Sequence, residues 1–127
     1  EGSSSTIYRA KHRLPTVTKL AVKKTKIVNA NMPSLPLEHP NILPVFEVIR
    51  DGDTEYQVMP FLEDGDLYAL VESNPKGLPE PTVRSLLSDI IRGLLYLHDC
   101  KGLAHLDVKL ENILLTKSAA VPTAVLA

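Results

Sequence analysis

Three features of the sequence predict an α+β fold. Alternating, β-branched segments fill the first half, and an Asp-Gly pair sits between two apolar runs near the middle. From Pro81 onward, apolar residues recur at three- and four-residue steps. Strands come first and helices second, without alternating strand–helix–strand units, so a parallel sheet is not expected. A length of 127 residues corresponds to one modest domain.

Each element has its own signal. Residues 6–10 and 16–23 alternate in polarity and read as strands joined through residues 12–15. Residues 29–44 hold Pro33, Pro36, Pro40 and Pro44. A proline inside a helix costs about 3 kcal/mol, so no long helix fits there. Residues 45–49 and 55–59 flank Arg50-Asp51-Gly52-Asp53 and form a hairpin, making the first half an antiparallel sheet. Residues 62–66 form a loop, and Asp66 caps a short helix over 67–72. Pro75, Gly77 and Pro79 interrupt the chain. Val83, Leu86, Leu87, Ile90, Ile91, Leu94, Leu95 and Leu97 then lie along a long amphipathic helix over 82–98. Pro81 stands near its first turn and Gly102 beyond its end. A polar loop over 105–111 leads to a small hairpin of residues 113–115 and 123–126.

Composition removes several classes of function. Forty-four percent hydrophobic and 23% charged residues fit a globular chain rather than a disordered one. Fourteen Lys+Arg against 15 Asp+Glu give a net charge of −1, with no global field for nucleic acid or a membrane surface. The single cysteine, Cys100, can make neither an internal disulfide nor a cysteine metal cluster. No apolar run approaches the roughly 20 residues that span a bilayer, and residues 1–20 lack a signal-peptide core. His39, His98 and His105 have no metal-ligand spacing and read as structural. Near-neutral charge and one cysteine fit an intracellular, cytoplasmic protein.

Chemistry concentrates in His105-Leu106-Asp107-Val108-Lys109-Leu110-Glu111-Asn112-Ile113-Leu114-Leu115. Asp107, Lys109 and Asn112 fall within six residues, on a loop between the long helix and a short apolar strand. Such a loop can aim Asp107 at a substrate hydroxyl, while Lys109 neutralises a transferring phosphoryl group. The Asn112 carbonyl can hold a divalent metal. An ordinary polar turn is the plain alternative for these three residues alone.

The stretch resembles the catalytic loop of eukaryotic protein kinases, His-Arg-Asp-Leu-Lys-x-x-Asn. Gly93-Leu94-Leu95-Tyr96-Leu97-His98 and Lys101-Gly102-Leu103-Ala104-His105 are similar to the helix leading into that loop. Leu106 stands where the family usually has Arg, and Leu110 where it often has Pro. That Arg pairs with a phosphorylated activation loop, so Leu106 argues against activation of that kind. Glu1-Gly2-Ser3-Ser4-Ser5-Thr6-Ile7-Tyr8-Arg9-Ala10 resembles the glycine-rich loop and second strand, with Gly2 at the second glycine and Ser5 in place of the third. Leu20-Ala21-Val22-Lys23 is similar to the family's Val-Ala-Ile-Lys strand. Leu37-Glu38-His39-Pro40-Asn41-Ile42-Leu43 resembles the His-Pro-Asn-Ile turn, and residues 56–67 resemble the fifth strand and hinge.

The resemblance implies a protein-kinase-like fold: an N-lobe over 1–59, a hinge over 60–66 and the start of a helical C-lobe over 67–127. It implies ATP and Mg²⁺ as cofactors and a protein substrate. Backbone N–H groups of Gly2, Ser3 and Ser5 would cover the phosphates, and Lys23 would contact the α- and β-phosphates. Met59 would be the gatekeeper, Pro60 and Leu62 would address the adenine edge, and Ile7, Ala21 and Leu114 would sandwich the ring. Asp66 would accept from a ribose hydroxyl. Asp107 and Lys109 would be catalytic, Asn112 would bind metal, and Lys109 favours Ser/Thr over Tyr specificity.

Two departures qualify the implied activity. The span from Lys24 to Leu37 is about a dozen residues shorter than this motif set usually has, and it contains no acid and two prolines. Lys23 is therefore expected to lack its usual helix Glu. The family also places Asp-Phe-Gly directly after a strand like residues 124–127, so the chain is expected to stop before that metal ligand. On this reading the isolated chain is incomplete for catalysis, and poorly soluble or partly molten because the long helix lacks neighbours for part of its apolar face. The alternatives are a pseudokinase acting as a binding or scaffolding module, a truncated or mis-spliced kinase, and, last, a small-molecule phosphotransferase of similar fold.

Overall fold

Strands β1 (Thr6–Ala10), β2 (Leu20–Lys26), β3 (Glu47–Asp51) and β4 (Thr54–Pro60) form one antiparallel sheet in the order β1-β2-β4-β3. The structure, a computed structural model, describes residues 6–10, 19–27, 37–116 and 121–127. The chain divides into two units, one of residues 1–37 and 44–61 and the other of residues 38–43 and 62–127. The sheet belongs to the first. Its hairpin turns on Gly52-Asp53, two residues rather than the four that the sequence suggested, with Gly52 at φ +58°. A primed hairpin turn puts a positive φ at its first central residue, where glycine is unstrained. β2 runs through Lys26, three residues past the expected strand, because Thr25 and Lys26 continue the ladder to Glu55 and Thr54. Residues 12–15 and 16–18 lie outside the described residues.

The second unit begins its helical part with α1 (Leu67–Glu72), capped as expected by Asp66, whose Oδ1 accepts from the Ala69 N–H at 2.8 Å. Helix α2 (Glu80–Leu95) follows, with Pro81 in its first turn. The expected single helix over 82–98 instead passes into a π turn at Tyr96–Cys100, and Gly102 at φ +64° ends it. Leu86, Asp89, Ile90, Gly93 and Leu97 form the buried face, while Leu87, Ile91 and Leu95 lie about half exposed on another. Heptad-like apolar spacing supplies both rows, but only one is covered by β6 and residues 41–42.

Strands β5 (Ile113–Thr116) and β6 (Thr123–Leu126) make the expected hairpin, packed on α2. Leu115 and Leu126 are its most buried large side chains. Residues 41–43 run beside β6 through the Ile42–Leu126 bridge. This segment is also tied to the helix end. The Tyr96 hydroxyl accepts from the Glu38 N–H at 3.0 Å, and His39 stacks on the Tyr96 ring at 4.9 Å. Among the described residues no helix is long and apolar enough to cross a membrane.

Candidate active site

The loop between the π turn and β5 is shaped by side chains bonding to backbone. His105 Nδ1 accepts from the Asp107 N–H at 3.3 Å, and its Nε2 lies 3.1 Å from the Ala127 carbonyl. With Nδ1 acting as acceptor, the hydrogen sits on Nε2, which donates to Ala127. Between these two anchors Leu106 adopts φ +64° with its side chain 92% exposed. A left-handed conformation costs a non-glycine residue about 1–2 kcal/mol and persists where neighbouring bonds enforce it.

A 3₁₀ turn at Leu110–Asn112 then folds Asn112 back over Asp107. The Asn112 Nδ2 donates to the Asp107 carbonyl at 2.8 Å and to Asp107 Oδ2 at 2.7 Å. Both partners are acceptors, which fixes the amide orientation and leaves Asn112 Oδ1 as an oxygen ligand. Lys109 Nζ lies 3.3 Å from the same Asp107 Oδ2. Asn112's hydrogen bond, then Lys109's bond and charge, hold the Asp107 carboxyl below its ordinary range. Asp107 is thus ionised, exposed, and oriented through Oδ2. Among the described residues its Oδ1 accepts no hydrogen bond.

Asp66 and Leu114 meet in this unit through a β-bridge, and the Asp66 cap uses one oxygen only. Leu62 and Leu114 are half-buried. Among the described residues no group of three His, Cys, Asp or Glu side chains could hold a metal.

In the sheet unit, register unites four residues singled out from the sequence. Ile7 pairs with Lys23 and Ala21 with Met59, and these two rows lie two residues apart on β2. Ile7, Ala21, Lys23 and Met59 therefore share one face of the sheet. Ala21 and Met59 are buried, Lys23 is half-buried and Ile7 is largely exposed. Among the described residues no carboxylate forms an ion pair with Lys23. Pro60 ends β4 opposite Leu20. Gly2, Ser3 and Ser5 lie outside the described residues.

His105, expected from the sequence to be structural, serves that way: one ring contact is local, to the Asp107 N–H, and the other, to the Ala127 carbonyl, forms where the chain returns after β6.

An acid, a lysine and an asparagine gathered on one loop of an α+β chain are the equipment of a phosphoryl-transfer enzyme. The chain matches the model of the protein kinase domain over residues 1–123. It is 30% identical over 127 residues to the serine/threonine-protein kinase DCLK3 of Mus musculus, covering 93% of this chain and 16% of that protein. It is 36% identical over 121 residues to the serine/threonine-protein kinase hal4 of Schizosaccharomyces pombe, covering 93% and 19%. It is 42% identical over 88 residues to the serine/threonine-protein kinase GRIK2 of Arabidopsis thaliana, covering 67% and 21%. The chain spans about a fifth of the length of these relatives. It belongs to the protein kinase family, of the serine/threonine type by resemblance.

Proposed function

We propose that the whole protein transfers the γ-phosphoryl group of ATP to a serine or threonine hydroxyl of a protein substrate. One observation carries this reading. Asn112 and Lys109 both engage Asp107 Oδ2, so Asp107 Oδ1 is presented free and ionised. In the transfer, Oδ1 accepts the hydrogen bond of the substrate hydroxyl and takes its proton as the new O–P bond forms and the bond to the ADP oxygen breaks. The low Asp107 pKa makes it a weak base, so orienting the hydroxyl is its larger contribution. Lys109 offsets charge on the phosphoryl oxygens. Lys23 binds the α- and β-phosphates, and the family resemblance assigns the backbone N–H groups of Gly2, Ser3 and Ser5 to the same phosphates. The same resemblance assigns Ile7, Ala21, Met59 and Leu114 to the adenine ring, Pro60 and Leu62 to its polar edge, and Asp66 to the ribose.

The oxygen chemistry of Asn112 fits Mg²⁺, a hard cation, because both amide hydrogens are already spent on Asp107. When bound, Mg²⁺ neutralises phosphate charge. A lone cysteine, exposed on the π turn, accords with a reducing cytoplasmic location.

Asp107→Asn in the whole protein is expected to lower kcat at least 100-fold, with Mg²⁺-dependent binding of an ATP analogue retained. Lys23→Ala is expected to weaken that binding. Full transfer by Asp107→Asn would overturn the assignment. A second reading, a pseudokinase that binds and scaffolds, is favoured by the acid-free span after Lys23. Analogue binding without any transfer by the unaltered protein would select it.

A further inference from the structure

Ala124 is almost wholly buried, and both its backbone groups are bound by side chains. Its N–H donates to Asp89 Oδ2 at 3.1 Å, and its carbonyl accepts from Asn41 Nδ2 at 2.9 Å. Two residues on, the Leu126 N–H donates to the Asn41 carbonyl at 2.9 Å and the Leu126 carbonyl accepts from the Leu43 N–H at 2.7 Å. The outer edge of β6 is therefore closed by residues 41–43 and by one carboxylate from α2. Asp89 sits on the buried face of that helix, 8% exposed, with its other oxygen held by Arg92 Nη1 at 3.1 Å. A charge among Leu86, Ile90 and Gly93 is costly unless bonded, and these two bonds satisfy it.

The clamped strand leads to the catalytic loop. Ala127 follows β6 directly, and its carbonyl receives the His105 Nε2 hydrogen while His105 Nδ1 receives the Asp107 N–H. The Ala127 N–H also donates to the Asn112 carbonyl at 2.9 Å. One strand thus connects the Asp89–Asn41 clamp to both Asp107 and Asn112. We infer that Asp89 and Asn41 are positioning residues for phosphoryl transfer, fixing where β6 sits along α2 and hence how His105 and Ala127 hold Asp107. The inference rests on the assignment of Asp107 above. It has catalytic consequence because a misplacement of about 1 Å at reacting atoms can cost about 100-fold in rate.

Asp89→Ala removes the acceptor for the Ala124 N–H. Asp89→Asn retains one, and Arg92, largely exposed, can turn away from the new amide. The test compares both variants of the whole protein at temperatures well below unfolding, reading kcat, KM for ATP and the ring ¹⁵N shifts of His105. Asp89→Ala is expected to lower kcat 10- to 100-fold with KM for ATP within about twofold, and to mix the two His105 tautomers. Asp89→Asn is expected to restore most of kcat and the single Nε2-protonated tautomer. Should Asp89→Ala not fold, Asp89→Ser, too short to reach Ala124, carries the same comparison. A lowered melting temperature with unchanged kcat and unchanged His105 shifts overturns the inference, as does failure of Asp89→Asn to restore them. Asp107→Asn, run in parallel, separates the two ideas. If it keeps full transfer, the site assignment falls, while the His105 shifts still decide whether Asp89 holds the loop.

Discussion

Asn112 Nδ2 bridges two oxygens of one residue, the Asp107 carbonyl at 2.8 Å and its carboxylate Oδ2 at 2.7 Å. The second bond exists at full strength only with the ionised carboxylate, so it lowers the Asp107 pKa, and Lys109 adds to it. Asn112→Ala is therefore expected to raise that pKa toward the ordinary value of about 3.9, and Lys109→Met to raise it less. Because the folded value is depressed, the contact's hold on the loop is present above the unfolded pKa and fades as pH falls through the folded one. Carboxyl ¹³C titration of the three proteins measures the order. A larger rise for Lys109→Met would refute the ranking.

Leu106 combines φ +64° with a side chain that packs on almost nothing. Glycine there relieves the left-handed conformation, about 1–2 kcal/mol, and forfeits some unfolded-state restriction, about 0.4–1 kcal/mol. Leu106→Gly should stabilise the protein by up to about 1.6 kcal/mol. Denaturant unfolding with an unchanged m-value is the measurement, and a midpoint below that of the parent sequence would contradict it.

Much of this architecture was legible in the residues themselves. The Asp-Gly turn, the Asp66 cap and the apolar spacing of α2 are local signals, and each formed its element. Local patterning also put Asp107, Lys109 and Asn112 on one loop, because they lie within six residues. What it left hidden depends on contacts distant in sequence. Asp89 reads as an ordinary helix charge until Ala124, 35 residues on, donates to it. The π turn was hidden for a different reason. Nothing between Tyr96 and Cys100 marks it by propensity, so it shows only in the backbone hydrogen-bond pattern, while Gly102 turns the chain where the sequence placed the helix end.

Asp66 carries a local duty that can be separated from its assigned ribose contact. Its Oδ1 caps α1 at the Ala69 N–H. Asp66→Ala should cost about 1 kcal/mol of stability, whereas Asp66→Ser keeps a capping oxygen and should cost only a few tenths. If the carboxylate also receives a ribose hydroxyl, both variants weaken ATP-analogue binding in the whole protein despite their different stabilities. Binding that tracks stability alone would remove Asp66 from the nucleotide site.

Gly93 sets helix propensity against packing. In an exposed helix, Gly→Ala stabilises by about 1 kcal/mol, since alanine loses less backbone freedom on folding. On α2, however, a Cβ at this position would stand 2.8 Å from the Asn41 carbonyl oxygen and 2.8 Å from Leu126 Cδ1, with Ile42 Cδ1 at 3.3 Å. The leucine tip can rotate away. The carbonyl cannot, because Asn41 C=O accepts the Leu126 N–H and the same residue's side chain holds Ala124. Relief must come from moving α2 off residues 41–43, which loosens the clamp on β6 as well. Overpacking of this kind costs about 1–3 kcal/mol, enough to reverse the propensity gain. Gly93→Ala is thus expected to lower the melting temperature, and Gly93→Ser to lower it further through its poorer propensity and added oxygen. An increase in melting temperature for Gly93→Ala would mean that the helix and the 41–43 segment are not in this close contact.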